Sequence, residues 1–402
     1  MLESEAYALF CQVFQSLENG SATYLVDDYL SGLSLLRRNP TRSGDNVVYF
    51  TRVGHDHSRS ITYLVNAWGD YPDARCKHAV SGDKNCLQLV AGKIVSAVLA
   101  MRAISTEADR DPPIDVSLVL LGSEGRRSTD SYFNVRLLRE NTMCANMSPE
   151  SRNHVVVIES TGLRVCNVQK GCLVFKLAIR GRLHSPAFAW LGDSPWEALT
   201  RFGKSVDEFM KPRHHLYPVE YGKAPSATIA NFLIGYPSIA TTRVASDLSG
   251  VDEGVSSIAS YSYVTLPPEC SHKELMGEFR HVAERVGKNS GCQLSVEDEF
   301  VEQPFREDAR SFVVNAISEA FLKVSGFEPI FEWLPFPVSA RDLKESGFAT
   351  DVVVFGPGDW TTIRPPNEKD IVAEIIEAAE VLAKIPYEAA DMKEDQMQEL
   401  SR

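Results

Sequence analysis

Several apolar runs in this 402-residue sequence end in polar side chains with the chemistry of a functional site. Arg364 follows a buried run at 351–355, after a turn that glycine and proline stiffen. Carboxylates follow three other runs, at Asp70, Glu124 and Glu159. Loops that follow sheet strands commonly carry site residues. A carboxylate in such a loop can act as a general acid or base, and an arginine can hold an anionic group.

The runs themselves indicate a parallel α/β sheet. VSLVLLG at 116–122 and HVVVIES at 154–160 are short, continuous and rich in β-branched residues. Such runs suit strands that helices cover on both faces. Further strands are predicted at 46–52, 61–66 and 351–355, with GHDHSR as a hairpin connection between the first two. Helices are predicted at 3–18, 24–36, 87–104, 308–324 and 370–385.

The pattern changes near residue 171. CLVFKLAIRG at 172–181 alternates apolar and polar residues, as a half-exposed antiparallel strand does. The α/β pattern returns at about 290, with a strand predicted at 293–300. Between these points the sequence predicts strands at 237–246 and 255–266 and helices at 194–210 and 271–286.

These patterns predict an α/β fold: a mixed, mostly parallel sheet with helices on both faces, interrupted by an inserted α+β domain. A chain of 402 residues is long enough for two domains with separate cores. The predicted boundaries are 1–170 and 289–402 for the two parts of the α/β domain and 171–288 for the inserted domain.

The charge balance limits the partners of the protein. The formal net charge is −13 and the isoelectric point is about 5.3, and an acidic surface disfavours nucleic acid and anionic membranes. No apolar run reaches the ~20 residues that span a bilayer, and MLESEAYALF lacks the basic start of a signal peptide. Eight cysteines without a C-x-x-C pair indicate reduced thiols. We therefore expect a cytoplasmic protein.

Short motifs occur where several predicted strands end, and another opens the inserted domain. None is specific alone, so the information lies in their order and spacing. They are NVVYF (46–50), YLVNAWGDYP (63–72), VLLGSEGRRS (119–128), VVIESTG (156–162), KGCLVFKLAIRGRLHSPAF (170–188) and FGPGDWTTIRPPNEKDI (355–371).

In that order the motifs resemble those of the two-zinc amidohydrolases and exopeptidases, the family of aminoacylase, acetylornithine deacetylase, succinyl-diaminopimelate desuccinylase and carboxypeptidase G. The resemblance covers roughly residues 45 to 385. It implies an α/β domain with an inserted lid domain, which in this family often pairs subunits into homodimers. It also implies a small amino-acid- or peptide-like ligand.

The chemistry of that family needs two zinc ions, held by two His and by carboxylates, one of them a bridging Asp, with a Glu as the base. The resemblance places Trp68 and Arg364 at the His positions and Leu89 at the bridging Asp. Arginine has no lone pair to give a metal. Glu159 stands at a ligand position, and Glu124 at that of a ligand or the base. The resemblance therefore implies that the two-zinc site is lost.

Polar groups remain at the implied site. Those at the carboxyl ends of the strands are Asp70, Glu124, Glu159 and Arg364, and His184 reaches over from the inserted domain. One interpretation is a metal-free pocket in which Glu124 or Glu159 is the acid or base and Arg364 or His184 holds an anionic group. The other is that Arg364 is a structural ion-pair partner in a dead site.

Three hypotheses for the function follow. The first is a metal-independent enzyme that hydrolyses, forms or transfers an amide or acyl bond of a small amino-acid- or peptide-like molecule. The second is a non-catalytic pseudoenzyme that binds a ligand or a protein partner. The third is an ordinary zinc amidohydrolase in which Asp83, His55 and His57 supply the ligands.

Three other features of the sequence have simpler explanations. His55–Asp56–His57 indicates a solvated turn, His214–His215 a loop, and Asp298 with Glu299 a solvated strand end. In the inserted domain, Val264 stands where the family has an Arg that grips a substrate carboxylate.

Overall fold

The computed structural model describes residues 2–18, 22–33, 36–38, 47–66, 84–106, 112–121, 152–182, 193–210, 237–246, 256–359 and 368–392. The chain divides into two compact units. The first consists of Met1–Val168, Arg306–Glu332 and Val338–Arg402, and the second of Gln169–Phe305 and Trp333–Pro337.

The elements are numbered in chain order. The strands are β1 (Arg37–Arg38), β2 (Val47–Arg52), β3 (Asp56–Asn66), β4 (Ile114–Leu121), β5 (Arg152–Ile158), β6 (Val165–Gln169), β7 (Gly171–Arg180), β8 (Ile239–Ser246), β9 (Ser257–Leu266), β10 (Gln293–Glu302), β11 (Phe305–Arg306), β12 (Phe331–Leu334) and β13 (Asp351–Phe355). The helices are α1 (Leu2–Glu18), α2 (Ala22–Ser31), α3 (Lys84–Thr106), α4 (Pro195–Met210), α5 (His272–Ser290), α6 (Phe312–Ser325), α7 (Ala340–Glu345) and α8 (Glu368–Asp391).

The first unit is built on a mixed sheet whose central strands are parallel. The strand order is β1-β2-β4-β3-β5-β13-β6-β11, and β12 pairs with β6. The neighbours β4, β3, β5 and β13 are mutually parallel, whereas β2 and β6 pair antiparallel with β4 and β13. All five residues of β13 are buried, as expected for a strand covered on both faces. The predicted α/β fold class is confirmed.

The helices of the first unit share one apolar core with this sheet. Side chains of α1, α3, α6 and α8 belong to the same cluster as those of the central strands. Within α3, Leu87–Thr106 is long and apolar enough to cross a membrane, but 83% of its most apolar window is buried inside the protein. The segment is therefore accounted for as a core helix.

The predicted hairpin between residues 46–52 and 61–66 is wrong. Both β2 and β3 pair with β4, which lies between them. The Gly54 amide donates to Asp115 Oδ1 at 2.7 Å, and the His55 amide donates to the Pro112 carbonyl oxygen at 3.2 Å. A Cβ at Gly54 would collide with the Ile114 backbone. The short connection thus packs against the start of β4, and β4 lies between the two strands in the sheet.

The second unit contains an antiparallel sheet in the order β10-β7-β9-β8. Its core joins apolar side chains of the sheet to those of α4 and α5. Strand β10, which the sequence assigned to the α/β domain, pairs along its length with β7. The change of pattern at residue 290 therefore does not mark the end of this sheet. Asp298 and Glu299 lie within β10, at a bulge, and are exposed.

Candidate functional site

The parallel neighbours β5 and β13 end at the same edge of the sheet. Their register pairs Ile158 with Phe355, so the next residues, Glu159 and Gly356, begin adjacent loops. The Glu159 amide donates to the Phe355 carbonyl oxygen at 3.3 Å. Open α/β sheets place ligands outside the carboxyl ends of their strands. This edge is therefore the candidate site.

Thr161 fastens the two loops to each other. Its amide and hydroxyl donate to the Gly356 carbonyl oxygen at 3.4 and 3.2 Å, and the hydroxyl accepts the Gly356 amide at 3.1 Å. The Gly162 amide donates to the Gly358 carbonyl oxygen at 2.7 Å. Since Thr161 is fully buried, these bonds are shielded from water. The loop after β5 and the loop after β13 thus form one structure.

Glu159 is paired with a lysine that the sequence analysis did not single out. Lys93 Nζ lies 2.7 Å from Glu159 Oε1, and the two side chains are 0% and 6% exposed. The same carboxylate oxygen accepts the Ser160 amide at 2.9 Å. Burial strips both charges of water, which is tolerable only when each has a close partner. The ammonium of Lys93 therefore neutralises the carboxylate of Glu159.

Helix α3 brings Lys93 to this edge together with Leu89, four residues earlier. Residues at i and i+4 lie on the same face of a helix. Gly358 has φ +85°, and a Cβ there would lie 2.5 Å from Leu89 Cδ2 and 3.4 Å from Ser160 Oγ. One face of α3 thus places an apolar side chain on the loop after β13 and an ammonium at the end of β5.

Arg164 joins a group of carboxylates beside the same loops. Its Nε lies 3.0 Å from Glu332 Oε2, and its Nη1 lies 3.5 Å from Asp359 Oδ2. Burial raises the pKa of Glu332, against the opposing effect of Arg164. The Gly358 amide donates to Glu374 Oε2 at 2.7 Å. Burial also raises the pKa of Glu374, although the bond from Gly358 lowers it in part.

Glu374→Gln is expected to gain stability relative to the wild type as pH rises from about 4 to 7. A carboxyl whose pKa is raised in the folded state contributes stability below its unfolded pKa of about 4.3 and loses it as pH rises through the folded pKa. The amide of Gln is neutral at every pH and can still accept the Gly358 amide. Urea unfolding at pH 4.5 and 7.5 measures the difference, with the exposed Glu328→Gln as the control. If the stability of Glu374→Gln relative to the wild type stays constant or falls as pH rises, the raised pKa of Glu374 is contradicted.

Of the predicted site residues, the structure describes Glu159. The others, Asp70, Glu124, His184 and Arg364, lie outside the described residues, as do Trp68, Asp83 and His214–His215. Whether these side chains meet Glu159 therefore stays a prediction.

The histidines of the predicted turn do not reach this edge. Asp56 and His57 begin β3, where His57 Nδ1 lies 3.1 Å from both carboxylate oxygens of Asp115. The parallel register pairs Val65 of β3 with Ile158 of β5, so His57 and Glu159 lie at opposite ends of the sheet. At ~3.3 Å per residue they are more than about 20 Å apart. His55 and His57 are exposed, as predicted, but Asp56 and His57 lie in a strand and not in a turn. His55 and His57 cannot share a metal ion with Glu159.

The sequence did carry a signal for Lys93. It is the single charged residue in LQLVAGKIVSAVLA (87–100), an apolar stretch of α3. Lysine is almost never fully buried unless it is paired, so its presence there predicts a buried carboxylate. The partner lies 66 residues away, and only the fold identifies it.

The two-zinc centre of the resembled family does not fit the described residues. Glu159, the implied ligand, already accepts an ammonium and an amide on Oε1. The implied bridging position is Leu89, which is buried against Gly358 and has no donor atom. Within the described ranges no group of three His, Cys, Asp or Glu is placed to hold a metal ion. The described residues alone therefore do not supply the three or four donor atoms that a zinc ion needs.

The fold is similar to that of solved peptidases and amidases. The di-peptidase Dug1p from Saccharomyces cerevisiae matches with a TM-score of 0.64 at 14% identity over 98% of both chains. An amidase of the hydantoinase/carbamoylase family from Burkholderia multivorans matches with a TM-score of 0.66 at 10% identity over 97% of this chain and 98% of its own.

A dinuclear metal-binding peptidase from Bacillus subtilis matches with a TM-score of 0.61 at 11% identity, covering 95% of this chain and 98% of its own. No protein-family model and no curated protein sequence matches the chain. At these identities the likeness establishes the fold. The fold is thus that of metallopeptidase-like proteins whose named members act on peptides or amides.

Proposed function

We propose that this chain is a metal-independent protein of the peptidase and amidase fold that binds a small amino-acid- or peptide-like molecule and acts on its amide or acyl bond. The observation that carries the proposal is the state of Glu159, whose carboxylate is held by Lys93 Nζ at 2.7 Å. A carboxylate committed to a buried ammonium is a poor zinc ligand. The likeness to the solved peptidases and amidases supports the ligand class.

In this proposal the chemistry is assigned to groups other than Glu159. Since Glu159 is held between Lys93 and the Ser160 amide, the general acid or base is Glu124. Arg364 or His184 is assigned to the anionic group or the developing oxyanion, and Asp70 to the orientation of a neighbouring side chain. The reaction class is hydrolysis, formation or transfer of an acyl group.

The Ser160 hydroxyl supports a polar ligand at this edge. Its Oγ is buried beside Gly358 and has no hydrogen-bond partner among the described residues. A buried hydroxyl without a partner costs about 1–3 kcal/mol. A carbonyl or carboxylate oxygen of a bound molecule would satisfy it.

A thermal-shift screen of N-acyl amino acids and dipeptides, run with a chelator present, tests the proposal. Saturable stabilisation by at least one compound is expected, followed by turnover that Glu124→Gln abolishes. Glu328→Gln, an exposed carboxylate, is the matched control and should retain turnover. Turnover that is seen without the chelator and is absent with it would overturn the metal-independent mechanism.

A second candidate function is a non-catalytic binding protein. It is favoured by the burial of both charges of the Lys93–Glu159 pair, because a side chain that substrate cannot touch does no chemistry. Binding in the same screen with unchanged product yield in wild type and Glu124→Gln would select this alternative.

We also propose a cytoplasmic homodimer. Within the part of the chain that the structure describes, strand β8 is an edge of the second unit's sheet, and most of its residues are exposed. Exposed edge strands pair with other chains readily. Five cysteines of the described ranges are free thiols, which agrees with a reducing compartment. Light scattering at two concentrations would show the dimer mass, and a concentration-independent monomer mass would exclude it.

A further inference from the structure

We infer that Lys93 is a tethered cation: its ammonium supplies, at the carboxyl end of β5, the positive charge that a metal ion supplies elsewhere in this fold. The inference rests on the proposed function, because it explains how the edge of the sheet is assembled without a metal. It assigns to a core-helix lysine an electrostatic role that the packing of α3 does not require.

The Lys93 side chain is completely buried. Among the Lys and Arg ion pairs of the described residues, only Lys93 is 0% exposed. Lys344 is 39% exposed, although its Nζ donates to both carboxylate oxygens of the buried Glu307 at 2.6 Å. A lysine that reaches solvent keeps part of its hydration. Lys93 gives up all of it, and the Glu159 carboxylate at 2.7 Å compensates its charge instead of water.

Lys93 lies on the helix that reaches both loops of the candidate site. Lys93 approaches from α3, the same helix whose residue 89 stands at the implied bridging carboxylate. Leu89 contacts the loop after β13 and Lys93 contacts the end of β5. At the position where the resemblance implies a bridging carboxylate, α3 thus carries an apolar side chain, and one turn further along it carries a cation. Relative to the resembled family, this helix face has one negative charge fewer and one positive charge more.

The buried carboxylate of Glu159 needs a cation close to it. Without a cation, a carboxylate that is 6% exposed would carry an uncompensated charge in the interior. The Ser160 amide satisfies one hydrogen bond but no charge. Lys93 is the cation that the described residues provide, at 2.7 Å.

Chemical rescue tests the inference directly. Lys93→Ala removes the atoms of n-propylammonium and leaves the volume in which they lay. We expect Lys93→Ala to lower Tm by about 6–10 °C and n-propylammonium chloride to restore at least half of the loss, whereas n-propanol, the neutral analogue, restores little. Lys93→Ala/Glu159→Gln should show no preference for the ammonium, because its counter-charge is gone.

The outcomes separate this inference from the proposed function. Equal rescue by the ammonium and the alcohol, or an unchanged Tm in Lys93→Ala, would overturn the tethered-cation role. If Lys93→Ala does not fold, refolding in n-propylammonium or folding of the double variant supports the role, and failure of both rejects it. Zinc bound by the wild type would refute the proposed function, whereas a metal-free wild type without ammonium-selective rescue would refute only this inference.

Discussion

Lys93→Met is expected to lower the free energy of unfolding by about 3–5 kcal/mol, the range for breaking a buried ion pair by removing one partner. Methionine fills most of the volume of the lysine stem, so the loss reports the charge and not a cavity. Glu159 would then be left as an uncompensated charge in the core, 6% exposed. Urea denaturation followed by circular dichroism measures the change.

A double-mutant cycle separates this loss from ordinary packing defects. Glu159→Gln alone should also destabilise, because it leaves the Lys93 ammonium without its carboxylate. Lys93→Met/Glu159→Gln should recover most of the loss, since both charges are gone and Gln can still accept the Ser160 amide. Strict additivity of the two single variants would show that the pair has no coupling and would contradict the description of the site.

Gly356→Ala is expected to destabilise the protein by about 3 kcal/mol, at the upper end for overpacking. A Cβ at this position would lie 2.5 Å from the Glu159 carbonyl oxygen and 3.1 Å from Ile158 Cγ2. The obstacle is backbone that is fixed by the Thr161 bonds, so it cannot move without separating the two loops. Ligand binding at this edge should be lost in parallel.

Gly277→Ala is the matched control for this substitution. Gly277 lies in α5, and a Cβ there meets nothing within 4 Å. Alanine in a helix interior should stabilise by about 0.5–1 kcal/mol. If Gly356→Ala were as stable as wild type, the close approach of the two loops described for this edge would be wrong.

The parallel core of the sheet was predictable because its strands are continuous apolar runs. The runs at 154–160 and 351–355 need burial on both faces, and the structure makes them neighbours in β5 and β13. The strand order was less accessible. A six-residue connection such as GHDHSR fits a hairpin equally well, and only the pairing of both strands with β4 excludes it. The assignment of β10 to the second unit likewise depends on its partner β7.

The candidate site was predictable in its position more than in its chemistry. Glu159 was identified because it follows a predicted strand and because it stands at a ligand position of the resembled family. Its partner was not, because a pairing over 66 residues between a helix and a strand end leaves no local pattern. The group formed by Arg164, Glu332 and Asp359 was missed for the same reason. Local sequence records which groups are polar, and the fold decides which of them neutralise each other.

The measurement that tests the central claim most directly is the zinc content of the wild-type protein, expressed and purified with added zinc and analysed by mass spectrometry. A two-metal site of this fold would hold about two zinc ions per chain. The Lys93–Glu159 pair predicts less than about 0.1 zinc per chain, because an ammonium already occupies the carboxylate that a metal would need. About two zinc ions per chain would contradict the claim and would identify the protein as a metalloenzyme with other ligands.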